Sequence, residues 1–274
     1  MRTLLCLFVG ILATVTASGM ARAADLPLPT KAPPAAPYDW TGFYVGGNFG
    51  YGWGHTDFTG ASSSVLLGIT TASTFAGALN SSGILGGGQI GFNYQFAPHW
   101  VAGIEADIDG AGINGSANTC AATAAGVAVG CETTALKLTD FGTARGRLGY
   151  AWNNMLLFGT GGFAWGQSSA THTGTCVGPG CPGALLPFAS NSPSTSTTFP
   201  GWAAGAGAEW GFLPNWTLRF EYLHLGFNGV TTNYVFSGTV VGLPFTTTTH
   251  TSANSSVDSV RLGVNYVFNW PPMR

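Results

Sequence analysis

The sequence predicts an all-β fold: an eight-stranded antiparallel up-and-down transmembrane β-barrel with four long external loops and short periplasmic turns. Three observations carry that expectation. Charged residues make up only 7% of the 274-residue chain, 9 Lys+Arg against 11 Asp+Glu, where a soluble domain carries about 25%. Eight segments alternate large apolar residues with small or polar ones at a period of two, the pattern of a strand with one apolar face. The connections between them alternate between tight turns and long stretches rich in Gly, Ser, Thr and Asn. The same composition excludes other classes. A net charge of −2 offers no basic surface for nucleic acid, 45% apolar content is too high for a disordered chain, and 42 Gly with 13% aromatics do not suit a helical bundle.

Residues 1–23 have the layout of a secretory signal. Arg2 precedes the apolar stretch Leu4 to Val15, and Ala21-Arg22-Ala23 supplies a small-x-small cleavage site. That stretch is shorter than the roughly 18 apolar residues of a membrane-anchoring helix, so an exported mature chain is expected from Ala24. Residues 24–39 contain Pro27, Pro29, Pro33, Pro34 and Pro37 and read as an extended periplasmic lead-in. The barrel is expected over residues 40–268, and 269–274 is a short tail.

The first strand, Thr41 to Trp53, sets Phe43, Val45, Phe49, Tyr51 and Trp53 against Tyr44, Gly46, Asn48, Gly50 and Gly52. Ile84 to Phe96 sets Ile84, Ile90, Phe92, Tyr94 and Phe96 against Gln89, Asn93 and Gln95. Trp100 to Asp109 opposes Ile104 and Ile108 to Glu105, Asp107 and Asp109. Leu138 to Trp152 opposes Ala144, Leu148, Tyr150 and Trp152 to Thr143, Arg145 and Arg147. Met155 to Gln167 is less regular, with Leu157, Phe163 and Trp165 in one phase. Trp202 to Phe212 sets Trp202, Ala204, Ala206, Ala208, Trp210 and Phe212 against Gly205, Gly207 and Glu209. Trp216 to Phe227 opposes Leu218, Phe220 and Tyr222 to Arg219 and Glu221. Ser256 to Phe268 opposes Val260, Leu262, Val264, Tyr266 and Phe268 to Ser259, Arg261 and Asn265.

Ala97-Pro98-His99, Asn153-Asn154 and Leu213-Pro214-Asn215 are the tight turns, and segments near 54–83, 112–136, 168–200 and 229–255 are the long external loops. A soluble barrel would place charge outside and apolar residues inside. Here nearly every strand charge lies on the face that lacks large apolar residues, so the apolar face meets lipid, and only a closed barrel satisfies strand backbone there. Eight strands leave a lumen just wide enough for side chains to fill. Glu105, Asp107, Glu209 and Glu221 against Arg145, Arg147, Arg219 and Arg261 are therefore expected to pair across it as an ionic plug, with Asp109 nearer the external end. The competing expectation is a narrow polar path for small hydrophilic solutes, a porin.

Other chemistry is weakly indicated. Glu105, Asp107 and Asp109 project together but lack the turn of a Ca²⁺ loop. His224 is the only strand histidine and its phase turns it towards lipid or the interface, while His55, His99, His172 and His250 are scattered, with no nucleophile motif beside them. No enzyme, metal or cofactor is expected. Cys120 with Cys131 and Cys176 with Cys181 form two close pairs. Local disulfides are the simplest of the three connectivities in an oxidising compartment. Trp40, Trp53, Trp100, Trp152, Trp165, Trp202, Trp210 and Trp216 lie mostly at strand ends and suit interfacial girdles.

Taken together, Ala24-Asp-Leu-Pro, Trp40-Thr-Gly-Phe-Tyr-Val-Gly-Gly-Asn48, Gly88-Gln-Ile-Gly-Phe-Asn-Tyr94, Gly103-Ile-Glu-Ala-Asp107, Thr143-Ala-Arg-Gly-Arg-Leu-Gly-Tyr150, Arg219-Phe-Glu-Tyr222 and Arg261-Leu-Gly-Val-Asn-Tyr-Val-Phe268 resemble the small outer-membrane β-barrel proteins of alphaproteobacteria, the "porin family" surface antigens. The resemblance covers residues 24–268. It implies a barrel similar to the transmembrane part of OmpA-like proteins in the outer membrane of a Gram-negative cell. The barrel would be embedded in lipid and lipopolysaccharide and inserted by the barrel-assembly machinery, with a role in envelope integrity or surface interaction. Some members bind haem, but no motif here carries that over. Family chains usually end on the last-strand aromatic, whereas here Phe268 is followed by Asn-Trp-Pro-Pro-Met-Arg, so the resemblance implies an internal assembly signal at Phe268.

Overall fold

A computed structural model describes residues 38–122, 128–175, 195–240 and 243–269. Eight strands, β1 (Gly42–Leu66), β2 (Ile69–Ala97), β3 (Trp100–Ala122), β4 (Ala128–Trp152), β5 (Met155–Thr175), β6 (Thr195–Leu213), β7 (Trp216–Val240) and β8 (Leu243–Asn269), pair antiparallel in chain order. β8 returns to β1, with Phe43 opposite Phe268, and closes the barrel. The segment 1–37, Cys176, Cys181 and the tail after Asn269 lie outside the described residues.

Period-two alternation sorts the two faces as the chain composition requires. Phe49, Ile90, Ile104, Leu148, Leu157, Phe163, Phe220 and Leu262 point outward and are exposed on the isolated chain. The large number of glycines also finds a packing reason here. On the lipid face the Trp165 ring covers Gly142, directly opposite on β4, and Trp202 covers Gly226. Inside, Phe158 covers Gly207 and Tyr44 covers Gly91. A Cβ at Gly142 would stand 2.1 Å from the indole, so the aromatic occupies the space its partner leaves empty, as in aromatic rescue of strand glycines.

The segments read as external loops are largely strand. β1 and β2 stay in register to Leu66 and Ile69, and β7 and β8 pair on to Val240 and Leu243 past a register shift between Phe227 and Val230. Crossing a bilayer takes about 9–11 tilted residues, so most of a 25-residue β1 projects beyond it. These extensions carry Thr and Ser on both faces. Strands in water need no apolar face, and β-branched Thr favours the extended backbone, so the absence of alternation reads as loop although the conformation is strand. β2–β3 pairing ends at Ser82 and Asn114 and β6–β7 pairing at Trp202 and Gly226, which leaves β2–β1–β8–β7 as one external sheet. Leu67 (φ 51°) and Gly68 (φ 79°) make the two-residue turn between β1 and β2, and two positive φ values give the type I′ twist that hairpins favour.

At the periplasmic end the three tight turns share one device. The backbone carbonyl of His99, Asn154 and Asn215 accepts the N–H of Ala151, Gly211 and Val267, at 2.7, 2.8 and 2.8 Å respectively. The side chain of the same turn residue then donates to the carbonyl of that same strand residue, at 3.0 Å for His99, 3.1 Å for Asn154 and 2.8 Å for Asn215. Each turn is thus clasped to the next hairpin. Asn154→Ala and Asn215→Ala should each lower unfolding free energy by about 1 kcal/mol, the net worth of one hydrogen bond. Their effects should add, because the clasps share no partner. Urea titration in detergent micelles followed by tryptophan fluorescence measures both.

Candidate functional site

The lumen is built in three layers. At its floor Trp40, 1% exposed, packs with Val101, Ala151, Leu156 and Phe158, and Tyr38 lies against it with ring centroids 4.7 Å apart. Trp40 is therefore not part of the interfacial girdle expected from its position at a strand end. The chain enters the barrel here, its Trp40 N–H donating to Gln95 Oε1 at 3.2 Å and the Gln95 N–H to Thr41 Oγ1 at 3.2 Å. That entry turns the indole into the mouth. Trp53, Trp100, Trp152, Trp202, Trp210 and Trp216 do face outward.

Above the floor lies an ionic layer of nine side chains, none more than 5% exposed: Glu105, Asp107, Asp109, Glu209, Glu221, Arg145, Arg147, Arg219 and Arg261. The register creates it. Glu105 stands opposite Arg145, Glu209 opposite Arg219 and Glu221 opposite Arg261 on adjacent strands. The longer contacts cross the lumen. Arg145 binds Glu105 and Asp107 through Nη2, both at 2.6 Å, and Glu221 through Nη1 at 2.8 Å. Arg147 reaches Glu209 on β6 at 2.8 Å and stacks 4.1 Å over the Phe158 ring. Arg219 on β7 binds Glu105 on the opposite wall and Glu221 beside it, the latter at 2.6 Å. Arg261 on β8 binds Asp109 on β3 at 2.7 Å and also Glu221.

Neutral groups complete this network. Tyr44 donates to Glu105, Thr143 to Asp107 at 2.7 Å and Thr217 to Glu209 at 2.5 Å. Three amides run in series, Asn48 donating to Gln89 Oε1 at 3.1 Å, Gln89 to Asn265 Oδ1 at 2.6 Å, and Asn265 to Glu209 at 3.0 Å. The structure thus brings all eight residues singled out in the sequence into one network and adds Asp109, Tyr44, Thr143, Thr217 and the amides. Their inward phase was visible, but which of them touch was not.

The third layer is an apolar lid over the ionic one, and the sequence reading missed it. Leu85, Ile113, Phe141, Leu223, Leu225 and Phe227 are buried in one cluster with Phe199 and Val257. A signal for it exists, since Leu223, Leu225 and Phe227 continue the odd phase of Arg219 and Glu221. A single polar-face label over the whole strand hides that change of character. β5 alternates poorly because the floor residues Leu156 and Phe158 point inward while Leu157 and Phe163 point outward.

The histidines are held separately. His224 does lie on the outer side, hydrogen-bonded to Asp258 at 2.7 Å, and Tyr222 donates to the same carboxylate at 2.5 Å. Asp258 shares the outward phase of Val260 and Leu262 and is an outward charge, held beside the His224 that packs on Trp202. His250 contacts Asn233 at 2.6 Å. His55, beyond the Trp53 level, meets Asn80 at 2.7 Å, and that hydrogen bond together with the charge of Asp57 holds its imidazole above the ordinary range. Backbone register puts Cys120 directly opposite Cys131.

A closed antiparallel barrel with an apolar exterior around a charged interior is the construction of a membrane-spanning β-barrel protein. The family model for the outer membrane protein beta-barrel domain matches residues 30–268, and the chain belongs to that family. It is 36% identical over 224 residues to the 31 kDa outer-membrane immunogenic proteins of Brucella melitensis and Brucella suis, covering 78% of this chain and 85% of each relative. Among solved structures it is similar to OprG of Pseudomonas aeruginosa (14% identity, TM-score 0.39, 83% of this chain and 97% of that one). It is also similar to the Ail protein of Yersinia pestis (14% identity, TM-score 0.31, 81% and 99%). The chain is an outer-membrane protein of the Gram-negative type.

Removing one partner from a buried ion network leaves charges unpaired, which costs about 3–5 kcal/mol. Arg145→Met takes one partner each from Glu105 and Glu221, which keep Arg219, and leaves Asp107 with no cation nearer than Arg261 at 3.5 Å, so the loss in urea-unfolding free energy of refolded protein should fall within that range. Lys137→Met, at an exposed position, should change it by less than about 0.5 kcal/mol.

Proposed function

We propose that this chain is a structural, surface-exposed component of the outer membrane whose lumen is closed to solutes. It contributes to envelope integrity and presents its external strands to the surroundings. The observation that carries this reading is the ionic layer, nine side chains at most 5% exposed, between the Trp40 floor and the Leu223–Phe227 lid. A conducting path needs wetted polar groups, whereas these groups spend their hydrogen bonds on one another. The name of the Brucella relatives, immunogenic outer-membrane proteins, supports surface display. Lipid and lipopolysaccharide are the surroundings of the apolar band, and the barrel-assembly machinery is the partner that inserts it. The reading assigns no catalytic role to any residue and requires no cofactor.

Planar-bilayer recordings on purified protein, combined with a liposome-swelling assay using small sugars, test closure. Wild type should show neither reproducible unit currents nor swelling above that of empty liposomes. Long-lived unit currents with rapid swelling would replace this reading with a narrow diffusion pore.

A further inference from the structure

The ionic layer does not balance. Among the described residues it holds five carboxylates, Glu105, Asp107, Asp109, Glu209 and Glu221, against four guanidiniums. A surplus charge in a sealed compartment has no water to spread into, and a group so placed neutralises rather than stay ionised alone. We propose that the lumen carries one bound proton and that Asp109 holds it, as a neutral carboxylic acid.

The surplus falls on Asp109 by register. Glu105, Glu209 and Glu221 each face an arginine on the adjacent strand and Asp107 faces Thr143, but Asp109 faces Phe141 on β4 and Gly87 on β2. Asp109 is fully buried, and its single charged partner, Arg261, is shared with Glu221 and, at 3.5 Å, with Asp107. Arg261 occupies Asp109 Oδ2, whereas Oδ1 has no donor.

Two further buried acceptors belong to the same corner, Asp107 Oδ1 and Asn48 Oδ1, and neither has a hydrogen-bond partner. Asn48, Gly87 and Asp109 form one row across β1, β2 and β3. The amide series fixes the sense of Asn48. Glu209 can only accept, so Asn265, Gln89 and Asn48 each donate towards it in turn, and Asn48 Oδ1 is left as an acceptor at the far end. A proton on Asp109 Oδ1 turns one of the surplus acceptors into a donor and removes the surplus charge in the same step. A metal ion suits the corner less well, since the Arg261 guanidinium already lies 2.7 Å from the same carboxylate. The groups facing Asp109 are Asn48 on β1, Asp107 on β3, Phe141 on β4 and Arg261 on β8, with Arg145 and Glu221 one contact further through Asp107 and Arg261.

Infrared spectra of the full protein labelled with ¹³C-aspartate, purified in detergent at neutral pH, test the assignment. A protonated-carboxyl C=O band should be present in wild type and lost in Asp109→Asn. Asparagine has the shape of the neutral acid, so this variant should keep the wild-type urea midpoint, while Glu221→Gln, which removes a needed charge, should lower it. A missing band, with a lowered midpoint in Asp109→Asn, overturns the proposal. A missing band with a midpoint that falls when sodium and potassium salts are replaced by choline chloride overturns the proton in favour of an alkali cation. The inference rests on the closed-lumen reading, and bilayer recordings of the same sample separate the two. Unit currents count against closure itself, whereas a silent barrel without the band counts against the proton alone.

Discussion

Hydrocarbon offers no hydrogen-bond partner, and the rest of this structure depends on that constraint. Backbone groups in lipid must pair with one another, which forces β8 back onto β1. Charged side chains at the same depth must turn inward and find partners there. In a barrel this narrow the nearest partners stand on the opposite wall as often as on the next strand. Arg219 reaches Glu105 from β7 to β3, and Arg261 reaches Asp109 from β8 to β3. Such contacts do not simply add stability, because taking the ions out of water offsets much of the attraction. What they contribute is selectivity: a strand slipped by one residue would send its arginines into lipid, so the network and the register specify each other.

Much of this was legible in the sequence, and the reason is geometric. A strand repeats every two residues, so a phase read from Phe220 and Tyr222 also fixes Arg219 and Glu221. The charges thereby sorted onto the inner face with no knowledge of the tertiary structure. Phase says nothing about height along the barrel. Trp40 has the look of a girdle residue, yet it lies two residues before β1, where the chain is still entering the mouth. Leu223 and Phe227 share the phase of Arg219 but stand above it. The Ser/Thr segments lost their alternation where the barrel leaves lipid, and with it the only signal that they are strand. Cross-lumen contacts such as Arg147 to Glu209 depend on barrel closure and shear, which no local pattern carries.

The layering of the lumen gives the three heights different physical tasks. The floor and the lid are ordinary apolar packing, with Phe158 under Arg147 on one side and Phe141 beside Asp109 on the other. They keep water from the ionic layer, and low polarisability makes the charge contacts there stronger than in water. The same exclusion raises the cost of any unmatched group. Glu105, Asp107 and Glu221 are matched by the neighbour opposite on the adjacent strand and Glu209 by Arg147 across the lumen, whereas Asp109, opposite Phe141, is matched only by a guanidinium that other carboxylates share.

Composition takes on a physical meaning in this light. Charge is scarce because the lipid-facing surface excludes it and the lumen admits only what it can pair. Glycine is abundant because a narrow barrel must fit arginines inside and aromatic rings on both faces without separating its strands. At Gly103 a Cβ would stand 2.5 Å from Asn93 Oδ1 and 3.1 Å from Arg147 Cγ. At Gly142 it would enter the Trp165 ring. Both are steric exclusions in ordinary extended backbone, one serving the ionic layer and the other the lipid face. The unusual amino-acid usage of the chain therefore follows from one requirement: large side chains are admitted only where a neighbouring strand gives up its own.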